Sequence, residues 1–251
     1  MNTSITEDSS DHKQPLVEHL TEMRNRLLYC VAFISAIFSG FFFISNDLYT
    51  FISEPLRRHL PDSSSMIATE VASPFLTPFK LSFLAAIFVS MPFILYQAWH
   101  FIKPGLRQKE SSLALPMLSS SIVLFYLGVA FAYFVVFPLV FGFFTQVAPS
   151  GVTVMTDIGS YLDFVIKLFF AFGFAFEIPV ITILLILMSM TTRESLAEKR
   201  PYVFIGCFIV GMILTPPDIL SQFLLAVPMW LLFELGLFMS LFTMKGSAER
   251  I

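Results

Sequence analysis

The chain has 251 residues, of which 56% are hydrophobic and 13% charged, with a formal net charge of −3. A water-soluble domain of that length has no interior large enough for so much apolar surface, so such a domain is excluded and lipid must be the main solvent. Two cysteines, Cys30 and Cys207, lie in apolar stretches without metal or redox spacing and read as small buried hydrophobes.

Residues 1–26 are polar and mixed in charge, so no cleavable signal peptide is expected ahead of the first apolar run. Within this segment, 15–28 reads as an amphipathic helix. Leu16, Leu20, Met23 and Leu27 share one face, and Glu18, Glu22 and Arg26 share the other at i, i+4, i+8. A membrane domain follows over 27–242, with a tail at 243–251. Six apolar stretches are expected to span: 27–44, 75–98, 115–143, 164–190, 203–214 and 219–233. Crossing about 30 Å of hydrocarbon at about 1.5 Å per residue takes about 20 residues. The first four satisfy this. The last two look short unless the bilayer thins or flanking residues extend them, the sixth because Glu234 ends its apolar run.

The loops alternate in charge. Lys13, Arg24, Arg26, Lys103, Arg107, Lys109, Arg193, Lys199, Arg200, Lys245 and Arg250 fall on one side, and only Arg57 and Arg58 on the other. The excess of Lys and Arg puts both termini in the cytoplasm. In the first outside loop, 45–74, Asn46 or Asp47 can cap a short helix whose Leu48, Phe51, Ile52 and Leu56 form an apolar stripe lying along the interface. Pro92, Pro116, Pro138, Pro179 and Pro228 fall inside spans, where each removes a backbone donor and bends its helix.

Several polar residues need a reason to be where they are. Glu177 sits near the middle of the fourth span, where an ionised carboxylate costs at least about 2.5 kcal/mol. It is either a neutral group bonded to backbone freed by Pro179 or a functional one facing a groove or a partner. Asp163 and Lys167, four apart, read as a structural ion pair. Asp218 follows Thr215-Pro216-Pro217 and can cap the sixth span. Gln222 has no capping role and, with Thr215 and Met212, can form a polar patch for a partner helix. Glu22 reads either as a surface partner of Arg26 or, with Glu110 on the same side of the membrane, as half of a paired-carboxylate site. No histidine is central in a span, and Gly-x-Ser-x-Gly, His-Glu-x-x-His and phosphate-loop patterns are absent from the sequence. Neither an enzyme nor a cofactor or metal site is expected.

Six segments together resemble one family. They are His19-Leu20-Thr21-Glu22-Met23-Arg24-Asn25-Arg26-Leu27, Glu70-Val71-Ala72-Ser73-Pro74-Phe75, Phe131-Ala132-Tyr133-Phe134, Phe176-Glu177-Ile178-Pro179, Lys199-Arg200-Pro201-Tyr202 and Leu214-Thr215-Pro216-Pro217-Asp218. In this order, over about 15–242, the chain resembles TatC, the receptor subunit of the twin-arginine protein translocase. The resemblance implies an all-α polytopic protein of the bacterial inner membrane. It would have six kinked helices, the last two short, in a concave, glove-like bundle with both termini cytoplasmic. It also implies binding of twin-arginine signal peptides of folded cargo at the cytoplasmic face. Assembly with single-span TatA and TatB in a multimeric complex would follow, driven by the proton-motive force without nucleotide, nucleic acid or cofactor. The signal-peptide site maps onto Glu22 and Glu110, with Arg24, Pro55 and Phe101 linked to it. The intramembrane partner-binding features map onto Glu177, Met212, Thr215 and Gln222. Ser111 and Ser112 follow Glu110 where the family often carries basic residues, and Arg107 replaces a usual aromatic, so the local charge of that loop departs from the pattern.

Two other readings compete. A small secondary transporter would use Glu177 as a proton-coupling carboxylate, but no inverted repeat is visible and the short last spans go unexplained. A scaffold for other membrane subunits would show assembly without peptide binding.

Overall fold

The structure, a computed structural model, describes residues 13–50, 67–103, 113–140, 142, 157–214 and 219–248. Apolar sequence of this length satisfies its backbone internally as helix, and the described residues are almost wholly helical. In chain order the helices are α1 (Lys13–Phe41), α2 (Ser73–Ile102), α3 (Ala114–Phe131), α4 (Ile158–Ala175), α5 (Ile178–Leu187), α6 (Arg193–Glu198), α7 (Arg200–Leu214) and α8 (Ile219–Ala248). Among the described residues, five stretches are long and apolar enough to cross a membrane: Leu20–Thr50, Ser73–Ile102, Ala114–Val140, Ile158–Leu187 and Gln222–Leu241. A shorter apolar helix, Arg200–Leu214, stands beside them.

The amphipathic segment and the first span are one helix, α1. Its faces are the reverse of those in a water-soluble protein: Leu20, Met23 and Leu27 are exposed, whereas Glu22 and Arg26 turn toward α2. In a lipid environment an apolar stripe needs no protein cover, so polar groups seek the protein instead. A 3-10 turn, Phe42–Ile44, leads from α1 into helical residues 45–50, the start of the short helix expected in the outside loop. Its continuation lies outside the described residues.

Proline chemistry sets the irregularities. The third span passes through a π-turn, Ala132–Val136, in which the Phe137 N–H reaches back to the Ala132 carbonyl. Pro138 supplies no N–H to the next turn, and the wider turn accommodates that gap. The fourth span breaks between α4 and α5, where Pro179 lies in the first turn of α5 and Glu177 occupies the junction. Pro78 and Pro92 in α2 and Pro228 in α8 are carried within continuous helices.

The sixth span corrects one expectation. α8 is 30 residues long, and Glu234, which seemed to end it, lies within it. Arg200 of α7 holds that carboxylate: Nη2 donates to Oε2 at 2.8 Å, and Nε stands 2.7 Å from Oε1 as an ion pair. A charge paired in this way is tolerated inside a helix that an isolated carboxylate would stop. α7, at 15 residues and about 22 Å, is short as expected.

The core lies where α2, α3 and α4 meet, and it is rich in phenylalanine. Phe125, Phe137 and Phe172 are fully buried. Phe88 meets Phe125 at 5.6 Å and Phe169 at 5.8 Å, and Phe137 stacks on Phe169 at 5.3 Å. The helices approach closely at two glycines. A Cβ on Gly173 would lie 2.6 Å from the Phe125 ring, and one on Gly128 would collide with the Phe172 carbonyl. Small residues at such crossings let backbones pack where lipid gives no hydrophobic incentive. α8 closes the other side against α5 and α7, while α1 packs chiefly on α2.

Candidate functional site

Three polar places stand out in an otherwise apolar molecule. At the first, near the end of α2, Arg26 bridges two helices. Its Nε donates to Glu22 Oε1 at 3.0 Å, Nη2 donates to the same oxygen, and Nη1 donates to Gln97 Oε1 at 2.9 Å. The i, i+4 spacing brings Glu22 and Arg26 together, and the fork of Arg26 lets it hold a second acceptor on α2. Thr21, Glu22, Asn25, Arg26 and Tyr29 line a hollow of about 510 Å³. Phe101 follows Gln97 by one helical turn on α2 and is half-buried. Arg24 points away, exposed, with its Nη2 on Asn25 at 3.3 Å.

The second place is the break in the fourth span. Glu177 is buried, 6% exposed, and its Oε1 has no hydrogen-bond partner among the described residues. The backbone around it is satisfied. The Glu177 N–H bonds to the Phe174 carbonyl at 3.0 Å, and the Glu177 carbonyl accepts from Ile181 at 2.9 Å. Across from it Ser121 of α3 is buried and accepts a hydrogen bond from Trp99 Nε1 of α2 at 3.2 Å.

The third place is at the opposite end, where Asp157 caps α4. Its Oδ2 accepts from the Ser160 N–H at 2.9 Å, and its Oδ1 accepts from the Thr69 N–H at 3.0 Å and the Thr69 hydroxyl at 2.8 Å. A short parallel bridge, Ile67 with Asp157, adds a backbone bond from Ile158 to Ile67 at 2.9 Å. The Ser160 and Thr69 N–H groups and the Thr69 hydroxyl stabilise the charged form and hold the Asp157 carboxyl well below the usual range.

The expected Asp163–Lys167 pair is not formed. Asp163 reaches across to Lys80 of α2 at 3.2 Å, and Lys167 is exposed. Spacing of four makes the pair sterically available, but a neighbouring helix offered a cation as well. Gln222 donates from Nε2 to the Phe208 carbonyl at 2.8 Å, tying α8 to α7, while Met212 is 53% exposed on α7. Glu110, Pro55, Thr215 and Asp218 lie outside the described residues.

Gln97, Trp99, Ser121, Asp157 and Lys80 escaped the sequence reading. Only Asp157 carried a usable signal, the Asp-x-x-Ser pattern of a helix start. The others act across helices 22 to 83 residues apart in sequence. Among the described residues, no cluster of three or more His, Cys, Asp or Glu could hold a metal ion.

Comparison with known proteins agrees with this architecture. Residues 18–228 match the family model described as Sec-independent protein translocase protein (TatC). The Sec-independent protein translocase protein TatC of Azotobacter chroococcum mcd 1 is 59% identical over 229 residues, covering 91% of this chain and 90% of the relative. That of Escherichia coli K12 is 55% identical over 242 residues, covering 96% and 94%. The crystal structure of the twin-arginine translocase receptor TatC superposes with a TM-score of 0.79 at 32% identity, covering 88% of this chain and 97% of that one. These relatives are named as components of a transport machinery and not for an enzymatic activity. The chain is a membrane-embedded subunit of a Sec-independent protein translocase and belongs to the TatC family.

Proposed function

We propose that this chain is the receptor of its translocase: it binds the paired arginines of a signal peptide at the cytoplasmic membrane edge, through Glu22 and Glu110. The observation that carries this reading is the built polar corner at Glu22, where a carboxylate beside a hollow is held by Arg26, itself anchored on Gln97. A guanidinium presents a planar fork that suits a carboxylate bidentately, whereas a lysine ammonium is a point charge, so carboxylates here favour Arg-Arg over Lys-Lys. Phe101 supplies an apolar wall beside that corner, and Arg24 helps shape the approach. The excess of Lys and Arg on one set of loops supports six spans with both termini in the cytoplasm of a bacterial inner membrane.

In the same reading, single-span TatA and TatB dock on the intramembrane polar groups Glu177, Met212, Thr215 and Gln222. The proton-motive force supplies the energy, and the working unit is a multimer. The test is binding of a labelled twin-arginine peptide to the purified chain in nanodiscs, against its Lys-Lys counterpart, in wild type and in the Glu22→Gln, Glu110→Gln double variant. The expected result is a preference for Arg-Arg that the double variant loses. A folded wild type with no preference, even with TatB present, overturns the reading. Orientation is checked separately, by reacting cysteines placed at either terminus with a membrane-impermeant maleimide in intact cells; labelling from outside would reverse it.

A further inference from the structure

The break that holds Glu177 is served by two residues for which the translocase reading so far has no role. Glu177, Val180 and Leu184 recur at i, i+3, i+7, one face of the helix, and Val180 and Leu184 pack in a cluster with Trp99, bordered by Met117 and Leu118 of α3. Glu177 therefore faces the wall formed by α2 and α3. Ser121 is buried in that wall, and its hydroxyl lies beside the Glu177 carboxyl.

Ser121 is unlike its neighbours. Ser119 and Ser120 return their hydroxyl protons to the carbonyls four residues back, at 3.1 and 2.8 Å, as do Ser90 and Thr182. That is the usual fate of a hydroxyl in an apolar helix. Ser121 makes no such bond. Its oxygen accepts the Trp99 N–H, and its hydroxyl proton is free to go to another acceptor. Oε1 of Glu177 is unpartnered, and the Ser121 hydroxyl is a donor beside this carboxyl.

We propose that Trp99 and Ser121 are positioning residues for Glu177. The indole N–H orients the serine hydroxyl, and the hydroxyl holds the carboxyl in one orientation at the break, ready for a donor on an incoming apolar helix. The docking half of this inference rests on the translocase reading above; the positioning half does not.

The experiment uses the full chain in membranes with its single-span partner subunits, and compares Ser121→Ala, Ser121→Thr, Trp99→Phe and Glu177→Gln. One readout is the infrared carboxyl band of Glu177, identified by its loss in Glu177→Gln. The other is photo-crosslinking to the partners from a probe at Phe174, which is exposed three residues before Glu177. Ser121→Ala should shift the band and lower the crosslinking yield about fivefold, the scale of one hydrogen bond. Ser121→Thr, which keeps the hydroxyl, should restore both, and Trp99→Phe should move both in the direction of Ser121→Ala. A band that stays in place in folded Ser121→Ala, or one that Ser121→Thr does not bring back, overturns the positioning role. If Glu177→Gln leaves the crosslinks unchanged while Ser121→Ala shifts the band, the docking reading fails and the positioning role stands.

Discussion

Over their most apolar 18 residues the first and fourth spans have the same mean hydropathy, 2.3, yet 6% of the first stretch and 50% of the fourth is buried inside the protein. In α4 the residues Tyr161, Leu162, Val165, Leu168, Phe169 and Phe172 are all buried, whereas Cys30 is the buried side chain of α1 among the described residues. Hydropathy therefore reports the medium a helix lies in and says little about its protein neighbours. In lipid a leucine is equally at home against a tail or a helix, so packing is decided by shape, small residues and polar groups. The fourth span has all three, in Gly173, the phenylalanine ladder and Glu177. The first has a polar corner at one end and rests chiefly on α2.

The largest expected contrast comes from removing a ring on each side. Phe172→Ala should leave a cavity of about 100 Å³ and cost about 2–3 kcal/mol at about 24 cal/mol per Å³, since lipid replaces water as the reference and the transfer contribution shrinks. Phe33→Ala, which loses one stack on Phe93 at 4.5 Å, should cost about 1 kcal/mol. Unfolding of the two variants in the same detergent tests this, and equal losses would break the comparison.

Glycine substitutions sharpen it with a smaller change. Gly128→Ala drives a methyl into the Phe172 carbonyl and should cost about 1–3 kcal/mol. Gly40→Ala in α1 meets nothing within 4 Å and should be neutral or stabilise by about 0.5–1 kcal/mol. The opposite signs are read from the shift in melting temperature of each variant.

The most local effect is at Asp157. Its carboxyl is depressed below the ordinary aspartate value of about 3.9, so its contribution is complete above that pH and is lost as pH falls toward the folded value. Protection of the Thr69 and Ser160 amides, corrected for intrinsic exchange, should fall below about pH 4 in the wild type. Asp157→Asn should remove that pH dependence, while the amides of α1 stay unaffected in both.

The sequence disclosed the spans because a 30 Å apolar medium imposes a length that composition cannot disguise. Glu234 misled because its partner, Arg200, stands 34 residues earlier on another helix. The Glu22–Arg26 pair was legible from spacing along one helix, but Gln97, which holds Arg26, was not. Asp163 shows the same limit from the other side: the rule for one helix named Lys167, and the packing of two chose Lys80. The N-terminal stripe had the right period, but period alone gives no direction: Leu20, Met23 and Leu27 turn outward, because the rule that apolar faces turn inward assumes water outside. What sequence conveys poorly here is the set of polar bonds that cross between helices, and both candidate sites are made of those.

The last turns of α2 carry Gln97 and Trp99 two residues apart, about 200° around the helix axis. The first holds the arginine bound to Glu22, and the second holds the serine that faces Glu177. One stretch of backbone is thus an axle with two spokes. A rigid roll of that stretch cannot carry one carboxylate's support away without carrying the other's, so the membrane edge and the membrane interior are geared to the same shaft.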